Sequence, residues 1–433
     1  MVTARNDIFW SLGVEHVGEQ DVHIIGAGIS GLRCAEVLTK NGIDVVLHEC
    51  TNRVGGRMKT DEVDGFLLDH GFHVMQAGYP LAGKLVNHSA MESRKFKSGA
   101  RVLCKTGNRT RITTYADPFR RPFSSMKALF RERWGDLLRV MKLRSITCRG
   151  DPYRGFTGND ESTLDFLTEY GFSERFIQRF FGPLFAGIFL ESELRTSERM
   201  FRFIFASMSR GAMVLPARGI RAYPEMIAER VGHENILLES EAEAIQDTLL
   251  VIDGNEVSAA QVVIAHPQDV GGKGRSVWTV HLAADVSPVP GRYVVLNGDY
   301  AIGRSLIAHM AIPSDVQPTY APDGKSLIAV TIVGDAADAL GLQDSEGIEQ
   351  QARKELLEWF PESEAWQTLG IRETKHALPE RGHGSGLTQT GTGSSEPIVA
   401  CGDHVAHGSV EGALISAELA AKEVIKRLSQ KSC

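Results

Sequence analysis

The sequence predicts an α/β protein: a parallel sheet with helices beside it, joined to a second part of mixed strands and helices. Three stretches carry that prediction. Asp21–Gly31 reads DVHIIGAGISG, Val46–Arg57 reads VLHECTNRVGGR, and the chain from Ile398 reads IVACGDHVAHGSVEGALISAELAAKEVIKRL. Each begins with a short apolar run and passes into glycines, as a buried strand feeding a turn would.

Composition narrows the class. A chain of 433 residues holds roughly two or three domains. The six cysteines are scattered with no paired spacing, which predicts a reduced, intracellular, cytoplasmic protein without a metal site. A net charge of −7 argues against a nucleic-acid partner. No apolar run reaches the length of about 18 residues that spans a bilayer. The first 19 residues carry Asp7, Glu15 and Glu19 without an apolar centre, so they read as a short N-terminal arm and not a secretory signal.

The elements follow in order. Val22–Ile25 is the first strand. A helix comes next, with Leu32, Ala35, Val37 and Leu38 at core spacing, and Asn41-Gly42 stops it. Ile43–His48 is the second strand. The turn between the first strand and the helix is G-x-G-x-x-G at Gly26, Gly28 and Gly31. Gly26 allows the tight turn, Gly28 lets backbone approach a pyrophosphate, and Gly31 lets helix and strand close on each other. The helix start then offers N–H groups and a positive dipole to an anion. Glu49, 23 residues beyond Gly26, stands where an acid takes ribose hydroxyls, and it argues against a 2′-phosphate.

A nicotinamide site would be complete at that acid. Gly55-Gly56-Arg57 instead suggests that the chain crosses the same cofactor a second time, with bare backbone for contact and a guanidinium for phosphate or a ring carbonyl. With GxGxxG, the acid, five residues and GGR in register, the sequence resembles the FAD superfamily of amine oxidases, phytoene desaturases and protoporphyrinogen oxidases, on its desaturase-like bacterial branch. Thr51 departs from the arginine many members carry near the adenosine. Two further stretches support the resemblance: VLPARGIRAYPEMIAERVGHENILLESEAEAIQ with the following LLVIDGNEVSAAQVVIAHP, and the C-terminal motif quoted above.

The resemblance implies a Rossmann-like FAD-binding domain, discontinuous in sequence, over 20–75, 215–270 and 395–433. A mixed-sheet and helical substrate domain would fill 76–214 and 271–394. It implies cofactor contacts from Gly26, Gly28, Ser30, Gly31, Glu49, Gly55, Gly56 and Arg57. From the later segments come Ala242 at the adenine, Gly402 and Asp403 at the ribitol–phosphate arm, and Val410, Gly412 and Ala413 at the flavin edge. No cysteine stands where covalent-flavin members carry one, which implies non-covalent FAD. GGKG at Gly271–Gly274 and the stretch His383–Ser395 lack a strand before and a helix after, so they read as loops. Electrons would therefore leave to oxygen, a quinone or another small acceptor.

Flavin chemistry asks little of side chains, since hydride transfer belongs to the cofactor. His73 and His376 are the candidate acid–base residues, with His70 beside the first; each also reads as an ordinary packed or exposed histidine. The phenylalanines of GFSERFIQRFFGPLFAGIFL fit either an apolar substrate tunnel or plain core. From Phe119 to Arg149 nine Lys/Arg face two Asp/Glu, and Phe123, Met126, Phe130, Trp134, Leu137, Leu138 and Met141 recur at helical spacing. That pattern fits peripheral membrane contact through 119–144, or a helix packed on its own domain with a solvated basic face. The functional expectation is an FAD-dependent dehydrogenase or desaturase acting on an apolar, conjugated or isoprenoid-like small molecule. The alternatives are an oxygen-dependent amine or amino-acid oxidase, and a non-catalytic carrier of the same fold.

Overall fold

A computed structural model of the protein describes residues 21–72, 74–107, 109–116, 134–267, 274–385, 387 and 397–431. The described residues fall into two compact units, one drawn from Met1–Met58, Arg221–Gly272 and Thr388–Cys433, the other from Lys59–Ile220 and Lys273–Leu387.

The first unit is built on β1 (Val22–Ile25), α1 (Ile29–Lys40) and β2 (Val45–Glu49). β1 lies at the centre of five parallel strands, ordered Ile236–Leu238, β2, β1, Gln261–Ile264 and Val399–Ala400. Covered on both faces, β1 and β2 have no exposed residue, and each buried Val, Ile or Leu contributes roughly 1.5–3 kcal/mol. α1 ends at Asn41, whose N–H returns to the Leu38 and Thr39 carbonyls. Gly42 then takes φ +73, the left-handed residue such an ending favours. Asp253 and Gly254, with φ +48 and +83, turn the chain between the antiparallel strands Leu249–Ile252 and Asn255–Ser258, as an Asp-Gly pair is suited to do. On the helical side, Glu36 is fully buried and receives Arg33 and Lys40 at 2.6 and 2.7 Å. Arg33 also bonds Glu418 on the C-terminal helix Val410–Lys431.

One residue of β1 departs from the apolar run expected there. His23 is buried in the middle of the strand, stacked on His48 of β2 with ring centroids 5.2 Å apart. Its Nδ1 lies 2.9 Å from His48 Nε2, and His48 Nδ1 lies 2.9 Å from Ser240 Oγ. A buried imidazole is tolerated here because a neighbouring strand brings its hydrogen-bond partner.

The second unit centres on seven strands in the order Gln367–Pro379, Gly274–Ala284, Ser326–Val333, Ile307–Ala311, Val294–Asn297, Gly99–Thr106 and Arg109–Ala116. All neighbours are antiparallel except Val294–Asn297 with Gly99–Thr106. Gly274, expected in a loop, starts a strand: a Cβ there would come within 2.5 Å of His376 Nδ1 on the adjacent strand, so the glycine serves close strand approach. The expected helix over 347–359 is Ser345–Trp359, with Asp344 capping it by accepting from the Gly347 N–H at 2.8 Å. Most of the phenylalanine-rich block is helical, and Ile177–Phe181 forms one turn of π-helix ahead of the helix Gly182–Phe189.

Candidate active site

The glycines of the first unit make a cradle that side chains would fill. Gly26 holds φ +104. A Cβ on Gly31 would sit 2.0 Å from the Gly26 carbonyl oxygen, so the helix could not approach the turn with any other residue. Beside Gly28 a Cβ would meet nothing within 4 Å, which leaves that side of the turn open. Gly28 is also the N-cap of α1, with no side chain capping it and no acid in the first turn. The helix start that includes Ile29 and Ser30 thus keeps its positive end for an outside anion.

Gly55-Gly56 brings the later segment onto this turn. The Gly55 N–H donates to the Ala27 carbonyl at 2.8 Å, and Gly28 and Gly55 form a parallel bridge. Gly56 has φ +57, and a Cβ on it would lie 3.2 Å from the Gly28 Cα.

Glu49 ends β2 with 6% of its surface exposed. Its Oε2 accepts from the Ala27 N–H at 3.0 Å, and its Oε1 accepts from the Thr51 N–H and Thr51 Oγ1 at 3.1 and 2.7 Å. Thr51, the departure noted in the sequence, therefore orients the acid. A carboxylate has about four lone-pair directions, so capacity remains on Oε2 for a ribose hydroxyl.

Arg57 and Asp403 meet as an ion pair, Nη2 to Oδ1 at 2.7 Å. The preceding Gly402 is held by Ser416, whose Oγ accepts its N–H at 2.8 Å and donates to its carbonyl at 3.0 Å. The C-terminal helix starts at Val410. The N–H groups of Gly412 and Ala413, expected at the flavin edge, are engaged by Ser409 Oγ and the Ser409 carbonyl, both at 3.0 Å. What this helix end offers a cofactor is chiefly its dipole. Ala242 opens the strand Ala242–Gln246 and packs on the cluster of Ile25, Leu250 and Ile252.

A glycine cradle that any Cβ would obstruct, an uncapped helix start and a buried acid at the strand tip together suit a dinucleotide. When bound there, FAD supplies a two-electron acceptor for hydride.

The second unit contains a cavity of about 140 Å³. The π turn explains part of its wall: with five residues to that turn, Phe176, Phe180 and Phe181 all reach it, joined by Phe185 and Phe205. π turns concentrate at functional positions. The phenylalanine block therefore walls a cavity and, through Phe181 and Phe185 among others, also belongs to the core. Its polar lining includes Gln76, Lys97 and Arg144, which were not singled out in the sequence. For Arg144 a signal existed, because Leu137, Val140 and Arg144 recur at helical spacing and all three line the cavity.

His73 lies outside the described residues. His376 is exposed on the edge strand Gln367–Pro379 and is not among the residues lining the cavity. His70 bonds Asp61 Oδ2 at 2.6 Å. Of the basic stretch, 117–133 lies outside the described residues, and Trp134–Thr147 is helical.

The flavin containing amine oxidoreductase family matches this chain over residues 29–425. The chain is 30% identical to protoporphyrinogen oxidase 2, chloroplastic/mitochondrial, of Arabidopsis thaliana over 82 residues, 19% of this chain and 16% of that protein. It is 40% identical to hydroxysqualene dehydroxylase of Rhodopseudomonas palustris over 73 residues, 16% of each. Both matches cover less than a fifth of the relative's length. An oxidoreductase from Methanosarcina mazei superposes with a TM-score of 0.70 at 19% identity, covering 93% of this chain and all of that one, a likeness of fold.

Proposed function

The chain belongs to the flavin-containing amine oxidoreductase family and is an FAD-dependent oxidoreductase, and we propose from this that it dehydrogenates an apolar, conjugated or isoprenoid-like small molecule. The carrier reading falls with the family assignment. In the proposal Gly26, Gly28, Ser30, Gly31, Glu49, Gly55, Gly56 and Arg57 hold the cofactor together with Ala242, Gly402, Asp403 and the helix start at Val410, Gly412 and Ala413. The observation that carries the substrate class is the cavity of the second unit, walled largely by phenylalanine, leucine, valine and methionine. Apolar pockets with a few polar groups are the usual form of small-molecule sites. The relative named for hydroxysqualene points the same way.

In such a reaction the substrate loses a hydride from carbon and a proton from the adjacent atom. The enzyme's own residues bind the apolar body, exclude water and fix the reacting C–H about 3–3.5 Å from its acceptor. Oxygen, a quinone or another small molecule then takes the electrons.

Anaerobic mixing of the yellow protein with a panel of polyenes and isoprenoids should bleach the flavin band for at least one member. The family's description, which names amines, favours a second reading. Peroxide release with amines, and no bleaching by any polyene, would decide for it. The proposal extends to the basic helix Trp134–Thr147, which is read as a contact for an anionic lipid surface from which an apolar substrate is drawn.

A further inference from the structure

One side chain in the cavity wall does not suit its neighbours. Gln76 belongs to the short strand Met75–Gln76, which runs antiparallel to Met213–Leu215 with Gln76 opposite Met213 and Met75 opposite Val214. Opposed residues of such a pair share a face, and the next pair takes the other face. Gln76 and Met213 both line the cavity, whereas Met75 and Val214 are buried and are not among its lining residues. The alternation therefore sets the Gln76 side chain on the cavity face. Its backbone is held there, because the Ala77 N–H donates to the Ala212 carbonyl at 2.9 Å and the Tyr79 N–H to the Gln76 carbonyl at 3.0 Å.

Gln76 is 6% exposed, and its Oε1 has no hydrogen-bond partner. A buried amide oxygen without a donor has lost its hydration and gained nothing, so a leucine or methionine would fit the fold better at this position. The amide is explained by what enters the cavity. A carbonyl oxygen only accepts, so the partner it lacks is a donor, an O–H or N–H. An ether or a carboxylate brings none. Size adds a second limit. About 140 Å³ is close to the space that holds one benzene-sized group in an apolar cavity, about 150 Å³, so the walls enclose one ring or a comparable branched unit.

We propose that this cavity takes a ring-sized apolar group carrying a hydrogen-bond donor, a hydroxyl or an amino group, and that Gln76 Oε1 accepts from it. The proposal rests on the reading of this cavity as the substrate's place. It narrows the substrate class from apolar molecules in general to alcohols and amines with an apolar body. Gln76 is then a specificity residue, since an analogue without the donor leaves its oxygen unpaired.

Isothermal titration of the full-length, FAD-loaded protein with 4-phenylbutanol, 4-phenylbutylamine and the methyl ether of 3-phenylpropanol tests this. The ether is an isomer of the alcohol and has no donor. The alcohol, the amine or both should bind roughly threefold to tenfold tighter than the ether, the range for one hydrogen bond, and the tighter of the two names the donor. Gln76→Met, close in size and without the acceptor, should abolish that preference while the ether binds as before; Gln76→Leu serves if the methionine variant does not fold. An ether that binds as tightly as both donors, or a preference that persists in the variants, overturns the donor assignment and leaves the cavity reading standing. Absence of binding by all three removes the cavity reading, and the donor assignment with it.

Discussion

Glu49 shows how a buried carboxylate at a strand tip is held in one orientation. Burial would penalise a lone carboxylate, but the N–H of Ala27 and both donors of Thr51 hold it in one orientation. Glu49→Gln keeps the volume and turns one acceptor into a donor facing those donors. Each lost charged hydrogen bond is worth about 1.5–3 kcal/mol, so the variant should retain FAD at least tenfold less tightly. The ratio of flavin to protein absorbance after gel filtration measures this, and an unchanged ratio rejects the role. The turn, the helix start and the strand tip were legible in the sequence because their geometry is local and falls within about thirty residues. The Arg57–Asp403 pair was not legible as a pair, since its members stand 346 residues apart and no spacing rule links them. Gln76 was missed for a different reason, because an isolated glutamine carries no pattern until the walls around it are known.

Among the elements, the helix Trp134–Thr147 departs most from its sequence reading. Periodicity placed Trp134, Leu137, Leu138 and Met141 on one apolar face, but Leu137 is buried at 8% exposure while Trp134 and Leu138 remain 59% and 62% exposed. The inner side, with Leu143 and the cavity residues Leu137, Val140 and Arg144, is ordinary core and pocket wall. The outer side sets Trp134 and Leu138 beside Arg139 and Lys142, a pairing of apolar and cationic groups suited to the boundary of an anionic bilayer. Co-sedimentation with vesicles of phosphatidylglycerol and phosphatidylcholine at low salt should capture the protein. Trp134→Glu with Leu138→Glu should reduce capture severalfold while FAD content stays constant. Equal recovery of the double variant and the unchanged protein sinks the idea. The π turn Ile177–Phe181 was beyond sequence reasoning, because five-residue spacing within a phenylalanine-rich run is masked by residues that satisfy every other spacing as well.

At the scale of the whole molecule the two units share a weakness toward acid. His23 and His48 in the first unit are held at about 4 and about 3; burial is the main cause, and for His48 the charge of its neighbour adds to it. In the second unit His281 is held at about 3 by burial and then by Arg372, and His309 at about 4 by burial, against the Pro183 carbonyl that favours its charged form. Above pH 6.5 these imidazoles are neutral in the folded and unfolded chain alike, and their titration costs nothing. Below 6.5 the unfolded chain binds protons that the folded chain refuses, so stability falls with pH until the folded values near 3 to 4 are reached. Each such histidine removes about 2 kcal/mol by pH 5. Carboxylates behave differently. Burial alone would raise Glu36, but Lys40 and Arg33 override it and hold the group below its usual range. Its contribution is complete above about pH 4.5 and disappears only as pH falls through that lowered value. The two windows are therefore separable. Thermal unfolding followed by flavin fluorescence should show a midpoint that is level from pH 8 to 7 and falls steadily from 6.5 to 5, before the contribution of Glu36 begins to be lost. His281→Leu, which removes an imidazole from the second unit, should flatten that fall. A midpoint constant down to pH 5 would mean that the buried rings are already protonated, or reach water, in the folded protein.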